Sequence, residues 1–105
     1  MPSFRASALA RADIRDIAEY TVRRWDEAQA DTYLGGLETL CQNLADGHSV
    51  GRACDDVSPG LFRIGYVSHV VFYRPIRDGV RIVRVLHQRQ LPDLHRFDDE
   101  EDEQE

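Results

Sequence analysis

The spacing of the apolar residues changes once along the chain, from the period of a helix to the period of a strand. In the first half, apolar side chains recur three and four residues apart in two successive stripes, which predicts two amphipathic helices. The first stripe consists of Ile14, Ile17, Ala18, Thr21, Val22 and Trp25. The second consists of Ala30, Tyr33, Leu34, Leu37, Cys41 and Leu44. Because only a few residues separate the stripes, the helices are expected to form an antiparallel hairpin.

Local polar residues mark where these helices begin. Ser7 follows a short candidate strand at residues 4–6 and suits the N-cap of the first helix. Asp26 ends the first pattern and suits the N-cap of the second. Gly35 and Gly36 lie inside the second helix, where each costs about 1 kcal/mol relative to Ala. We attribute this pair to close contact between the helices, with a partner lying across the bare backbone as the alternative.

The second half of the chain has the pattern of strands. It begins after a loop at residues 51–60, which is rich in Gly, Asp, Ser and Pro. Residues 61–66 and 69–76 are two β-rich runs, and an Asp-Gly pair that favours a hairpin precedes a third run at residues 80–87. The third run is apolar on both faces apart from two arginines, which predicts an interior position in the sheet.

These elements predict an α+β fold in a single domain. The predicted order is an N-terminal strand, an antiparallel helical hairpin and a three-stranded antiparallel meander, with the helices packed on one face of the sheet. The domain is expected to cover residues 1–97. Residues 91–95 are a candidate helical turn within it, and residues 98–105 are expected to form a disordered acidic tail.

The charge of the chain divides between the domain and this tail. The whole chain has 19 acidic and 13 basic residues, and seven of the acidic ones lie at residues 98–105. Without those seven, 12 acidic residues remain against the same 13 basic ones, so the domain carries +1. Every basic residue is Arg, whose planar fork suits carboxylate or phosphate groups. The tail is interpreted as a solvated terminus, with added solubility and contact with the arginines as alternatives.

Several classes of protein are not expected from this sequence. No apolar run approaches the length of a membrane span, and the first residues have no apolar signal core, which favours a cytoplasmic protein. The four histidines lack metal-ligand spacing, and neither a metal nor a cofactor is expected. Cys41 falls on the apolar stripe of the second helix and is expected to be a buried, inert thiol.

Several short segments, in this order and spacing, resemble the ParE branch of the RelE/ParE toxin superfamily. The first is the word SALARADIRDI at residues 7–17. Gly51-Arg52 and Pro59-Gly60-Leu61 resemble the family's loop into the sheet. HVVFYR at residues 69–74 and IVRVLHQR at residues 82–89 resemble its last two strands. The resemblance covers nearly all of the predicted domain and excludes the acidic tail.

The resemblance implies a toxin of a type II toxin–antitoxin system. Such a toxin is not an enzyme: it inhibits DNA gyrase by binding, and a ParD-like antitoxin wraps around it and neutralises it. The antitoxin would carry the DNA-binding part, so direct DNA binding by this chain is not expected. Two alternatives stay open. One is a RelE-like, ribosome-dependent mRNA endoribonuclease, and the other is a non-toxic member that only binds antitoxin for transcriptional autoregulation.

Candidate site residues follow from these two chemistries. An endoribonuclease needs a general acid or base and cations for the phosphate, and His87 with Arg84 and Arg63 would supply them. The structural alternative for His87 is a half-buried residue at the sheet edge. Partner contacts are instead expected at strand residues with cationic or aromatic side chains. These are Arg63, Phe72, Tyr73, Arg74, Arg84, His87 and Arg89.

The remaining aromatic residues are assigned to packing. Tyr20, Trp25 and Tyr33 lie on or beside the helical stripes and are expected to pack in the core or between the helices. In the strands, neighbouring aromatic residues face opposite sides of the sheet, so one set is expected to form an exposed row that suits an antitoxin segment.

Overall fold

The helical hairpin predicted from the two apolar stripes is present in the computed structural model, which describes residues 2–90. Helix α1 covers Ala8–Arg24 and helix α2 covers Glu27–Asp46. The strands are β1 at Ser3–Ala6, β2 at Arg52–Ala53, β3 at Phe62–Tyr66, β4 at His69–Ile76 and β5 at Gly79–His87. The predicted helical turn at residues 91–95 and the predicted tail at residues 98–105 lie outside the described residues.

The strands form one five-stranded sheet in the order β1-β5-β4-β3-β2. Strands β3, β4 and β5 make the predicted antiparallel meander, and β1 pairs in parallel with β5. The interior position predicted for the last strand is confirmed, because β5 lies between β1 and β4. The segment at residues 51–60, predicted as loop alone, contributes the edge strand β2. A strand of two residues is too short to leave a periodic pattern.

Ser7 joins the first strand to the first helix and fastens both to β5. Its backbone N–H donates to the carbonyl of Ile82 at 2.9 Å, and its Oγ donates to the carbonyl of Val83 at 2.8 Å. The same Oγ accepts from the backbone N–H of Ala10 at 3.0 Å, as expected of an N-cap. Strand β1 pairs with β5 only as far as Ile82, so α1 covers the next part of the β5 edge.

The second helix begins and ends with the expected residue types. The carboxylate of Asp26 accepts from the backbone N–H of Gln29 at 2.8 Å, which confirms the predicted N-cap. Gly47 ends the helix in the left-handed conformation with φ of 81°, which Gly adopts without steric cost. Neither described helix is long and apolar enough to cross a membrane.

The apolar core lies between the helices and one face of the sheet, as predicted. Buried side chains of both helices meet those of β4 and β5 there, among them Ile17, Leu37, Val71 and Ile82. Cys41 belongs to this core, and its burial raises the pKa of the thiol to about 12. A smaller cluster lies on the opposite face, the outer face, where the loop after β2 covers part of the sheet. It consists of Cys54, Leu61, Phe72, Val83 and Leu86.

The Gly35-Gly36 pair in α2 is explained by contact with a strand and not by contact between helices. A Cβ at Gly36 would collide with the hydroxyl of Tyr66 in β3. That hydroxyl donates to the carbonyl of Tyr33 at 2.6 Å, so the Tyr66 ring is held against the helix backbone. A Cβ at Gly35 would meet nothing within 4 Å. The predicted helix–helix contact is therefore wrong for both glycines. Gly36 lies against Tyr66 of strand β3, and Gly35 has no neighbour within 4 Å of an added Cβ.

The two glycines make a matched pair for a stability measurement. We expect Gly35→Ala to raise the free energy of unfolding by about 1 kcal/mol, because Ala is the better helix former and the space is open. Gly36→Ala gains the same helix propensity but displaces Tyr66, and overpacking costs about 1–3 kcal/mol. Gly36→Ala should therefore be the less stable variant by about 2 kcal/mol in urea unfolding. Equal stabilities would contradict the close approach of Tyr66.

Candidate functional site

Large apolar side chains are exposed where the helical hairpin turns back beside the β3–β4 connection. Tyr20 is 55% exposed, Trp25 is 54% exposed and Val67 is 75% exposed. The expectation of core packing is wrong for Tyr20 and Trp25, although Trp25 contacts Tyr33 of α2 across the hairpin. Trp25 follows the last residue of α1 and Tyr20 lies beside the apolar stripe, whereas Thr21 on the stripe is buried.

Tyr33 connects these exposed residues to the sheet. Its ring centroid lies 6.5 Å from that of Trp25, 5.0 Å from that of Tyr66 and 5.7 Å from that of His69. His69 contacts His87 on the neighbouring strand, with 5.4 Å between ring centroids. We call the surface formed by Tyr20, Trp25, Tyr33, Tyr66, Val67, His69 and His87 the aromatic end.

Two shallow grooves open on the aromatic end, one on each side of Tyr33 and His69. Trp25, Tyr33, Tyr66 and Val67 line the first, together with polar residues of the first turns of α2. The second is lined by Asp16, Ile17, Tyr20, His69 and His87. Exposed aromatic rings beside concave apolar surface are typical of protein-binding surfaces.

Val67 adopts a backbone conformation that its side chain disfavours. It lies in the two-residue turn between β3 and β4 with φ of 51°, the left-handed region that β-branched residues rarely occupy. Such a conformation costs on the order of 1–3 kcal/mol and is found preferentially at functional sites. The turn holds the strained Val67 side chain at the rim of the Trp25 groove.

His69 is the titratable centre of the aromatic end. Its Nδ1 lies 2.6 Å from the Oη of Tyr33. Burial lowers the pKa of His69, the nearby His87 lowers it further, and Asp13 partly opposes the change. Burial also raises the pKa of Tyr33. At neutral pH His69 is therefore uncharged, and its Nδ1 shares a hydrogen bond with the phenol of Tyr33, whose hydroxyl also lies 3.5 Å from the carbonyl of Tyr66.

The lowered pKa of His69 predicts a pH dependence of stability. The unfolded chain takes up a proton on this residue near pH 6.5, whereas the folded chain resists protonation until a lower pH. The stability that His69 contributes is thus present above about pH 6.5 and falls as the pH decreases through the folded pKa. We expect His69→Gln to flatten the decline of the unfolding midpoint as the pH falls below about 6.5. An unchanged slope would contradict the buried, neutral imidazole.

Arg84 forms a buried ion pair with Asp13 of α1. Its Nε and Nη2 donate to the two carboxylate oxygens of Asp13, each at 2.8 Å. The backbone N–H of Val85 donates to the same carboxylate at 2.9 Å. The side chains of Arg84 and Asp13 are only 11% and 12% exposed. The pair raises the pKa of Arg84 and fastens α1 to β5 where β1 has ended.

The three residues of the endoribonuclease alternative do not converge. The guanidinium of Arg63 lies over the Phe72 ring on the outer face, 5.8 Å from its centroid. Arg84 contacts Asp13 of α1, whereas His87 contacts His69 and accepts from the backbone N–H of Arg89 through Nδ1 at 3.1 Å.

The predicted partner-binding residues differ in how much surface they offer. Phe72 and Tyr73 are 2% and 4% exposed, so no exposed aromatic row forms on the described strands. The hydroxyl of Tyr73 instead accepts a hydrogen bond within the fold, from the backbone N–H of Gly51 at 2.7 Å. Arg74 contacts the loop after β2 by donating to Ser58, and Arg89 is exposed just beyond β5. Within residues 2–90 no group of His, Cys, Asp or Glu side chains is arranged to hold a metal ion.

Comparison with known proteins identifies the family. A family model described as the ParE toxin of the type II toxin–antitoxin system parDE matches residues 4–92. The chain belongs to the ParE toxin family. Toxin ParE1 of Mycobacterium tuberculosis is 39% identical over 84 residues, which is 79% of this chain and 86% of that one. Toxin ParE1 of Caulobacter vibrioides is 38% identical over 95 residues, which is 90% of this chain and 98% of that one.

A solved structure has the same fold. It is described as the chromosomal ParDE TA system from P. aeruginosa, with a TM-score of 0.69 and 18% identity. The alignment covers 83% of this chain and 96% of that one. The resemblance to the ParE branch and the predicted α+β class are thereby confirmed. The chain is a member of a family of type II toxins.

The sequence did not predict that the aromatic end of this ParE family member is exposed to solvent. Trp25 carries the signal, because this aromatic residue continues the α1 stripe into the turn before Asp26. The helical periodicity shows that a residue such as Trp25 lies on the same side of the helix as the core residues. It does not show whether the sheet extends far enough to bury that residue.

Proposed function

We propose that this chain is the toxin of a type II toxin–antitoxin pair, that it binds DNA gyrase in the cytoplasm and stalls it on DNA, and that a ParD-like antitoxin neutralises it. The family match over residues 4–92 supports the toxin assignment. The ParDE pair named for the solved structure supports an antitoxin of the ParD type.

One observation favours action by binding over catalysis, and it is the separation of Arg63, Arg84 and His87. Cleavage at a ribose 2′-hydroxyl needs a base, an acid and a cation within hydrogen-bond reach of one phosphate. Here the cation of Arg84 is engaged by Asp13 at 2.8 Å, and that of Arg63 stacks over Phe72 on the other face of the sheet. No proton donor and phosphate cation among these three share a site.

The aromatic end is the surface that best suits the antitoxin. Trp25 supplies a large ring that is ready to be covered, and aromatic anchors beside grooves contribute most of the energy in protein interfaces. Arg23 and Arg24 in the last turn of α1 are also exposed. We therefore expect the antitoxin segment to be amphipathic, with apolar residues over Trp25 and carboxylates toward the two arginines. His87 and Arg89 extend the same contact at the end of β5.

Gyrase poisoning and mRNA cleavage leave different traces in growing cells. We expect induction of the antitoxin-free chain to accumulate covalent gyrase–DNA complexes, and co-expression of the antitoxin to abolish them. Primer extension on ribosome-associated mRNA should show no new cleavage ends. Cleavage ends that disappear in the His87→Ala variant would contradict the proposal and favour the RelE-like chemistry. The absence of both traces, with growth unaffected, would favour a non-toxic member.

A further inference from the structure

Two histidines lie directly opposite each other at the aromatic end. His69 begins β4 and His87 ends β5, and the two residues are paired in register, so their side chains point to the same face of the sheet. Their ring centroids are 5.4 Å apart, and both residues are half-buried. Both line the groove beside Tyr20, so a partner segment that fills this groove covers the two imidazoles together.

The two imidazoles cannot both be charged without a cost in free energy. Like charges directly opposite each other on neighbouring strands destabilise a sheet, and burial disfavours each charge further. The pKa of His69 is accordingly lowered by its burial first and by the nearby His87 second. Because each imidazole makes the other harder to protonate, the pair takes up its second proton less readily than its first.

The carboxylates near the pair do little to stabilise a charged imidazole. Asp13 of α1 partly offsets the lowered pKa of His69, but both of its carboxylate oxygens accept from Arg84. Asp16 lines the groove on the same helix and is exposed, so water and salt screen its charge. The five strands of the described chain contain no Asp or Glu. Neither aspartate therefore offers the pair a strong, unshared counter-charge.

The hydrogen-bond partners of the two rings also suit uncharged imidazoles. Nδ1 of His87 accepts from the backbone N–H of Arg89 at 3.1 Å, and a charged imidazole has no acceptor nitrogen left for this bond. Nδ1 of His69 lies 2.6 Å from the Oη of Tyr33. Burial raises the pKa values of Tyr33 and of its neighbour Tyr66, so neither phenol carries a negative charge that would balance a proton on His69.

We infer, on the basis of the proposed function, that the aromatic end is a proton-sensitive docking surface: the antitoxin binds it tightly only while His69 and His87 are both uncharged. An antitoxin segment that lies with its apolar side over the aromatic rings removes both imidazoles further from water and disfavours their charged forms more strongly. Binding therefore releases the protons that the pair holds in the free chain. The affinity is constant above the pH at which the histidines titrate and falls as the pH decreases through it, so acidification frees the toxin.

Calorimetric titration of the full-length chain with its antitoxin at about pH 7.5 and about pH 5.5 tests this coupling. We expect Kd to be roughly tenfold higher at the lower pH, because a histidine that must lose its proton costs about tenfold for each pH unit below its pKa. Far-UV circular dichroism verifies that the free chain is folded at both pH values. Calorimetry at about pH 5.5 in two buffers of different ionisation enthalpy should also show proton release on binding.

Two variants separate the histidine pair from other titrating groups. His69→Gln with His87→Gln should bind almost equally well at both pH values, because an amide does not titrate. His48→Gln is the matched control, since His48 is exposed just beyond the end of α2, and it should keep the full rise in Kd. Titrating groups of the antitoxin contribute equally to all three chains, so the difference between the variants belongs to the pair.

The imidazole NMR signals give a second measurement that does not use affinity. In the free chain, His87→Gln should raise the pH at which His69 titrates, and in the complex both imidazoles should titrate at a lower pH than in the free chain. The same Kd at both pH values, a rise that persists in the double variant, or titration at a higher pH in the complex would overturn the proposal. A folded chain that does not bind the antitoxin at about pH 7.5 would instead contradict the proposed function, and the proton-sensitive docking with it.

Discussion

Asp13→Ala is expected to lower the free energy of unfolding by about 3–5 kcal/mol. The substitution leaves the guanidinium of Arg84 largely buried without its carboxylate, and breaking one partner out of a buried pair costs about that much. It also removes the acceptor of the Val85 N–H. Since a domain is stable by only about 5–15 kcal/mol, this one change should shift the urea midpoint strongly.

Asp16 provides the matched control for this variant. It lies one turn further along α1 and is exposed, so Asp16→Ala should change the stability by no more than about 0.5 kcal/mol. Replacing both members of the pair with apolar residues, Asp13→Leu with Arg84→Met, should restore part of the lost stability because no buried charge is left alone. Equal effects of Asp13→Ala and Asp16→Ala would show that the pair does not fasten α1 to β5.

Trp25→Ala is expected to weaken antitoxin binding by about 2–4 kcal/mol, or about 30- to 1000-fold in Kd. The ring is half-exposed in the toxin and would be covered in the complex. Stability of the isolated toxin should change by less than about 1 kcal/mol, because only the contact with Tyr33 and the groove wall is lost. Calorimetric titration with the antitoxin measures the affinity, and thermal unfolding measures the stability.

Val50 is the matched control for Trp25. It is apolar and even more exposed, but it lies beside β2 and lines a groove that shares no residue with the two grooves of the aromatic end. Val50→Ala should leave the affinity for the antitoxin within about twofold of the unaltered chain, since surface changes outside an interface are near neutral. If Trp25→Ala and Val50→Ala bind equally well, the aromatic end is not where the antitoxin docks.

Local signals in the sequence were sufficient for most of the fold. The side chains of Ser7 and Asp26 each accept a hydrogen bond from a backbone N–H in the first turn of the helix that follows. Because these contacts join residues only three positions apart, the sequence alone predicts them. The Asp78-Gly79 hairpin is equally local. The parallel pairing of β1 with β5 joins residues more than seventy positions apart, and no local pattern predicts it.

The candidate site was less predictable because it depends on distant residues. Arg84 was assigned to a partner from its strand position, yet a bulge in β5 opposite Phe72 and Tyr73 shifts the alternation, and the guanidinium meets Asp13. The exposure of Trp25 depends on where the sheet ends beneath α1. The positive φ of Val67 could not be predicted, because Val and Ser in a turn do not favour the left-handed conformation as Gly or Asn would.

Whether the purified chain inhibits gyrase decides whether gyrase is its target. The antitoxin-free protein is added in increasing amounts to gyrase and relaxed plasmid, and the supercoiled product is measured. We expect a dose-dependent loss of supercoiling that equimolar antitoxin reverses, with Val50→Ala as active as the unaltered chain. Undiminished supercoiling in the presence of a folded chain that still binds its antitoxin would contradict the assignment of gyrase as the target.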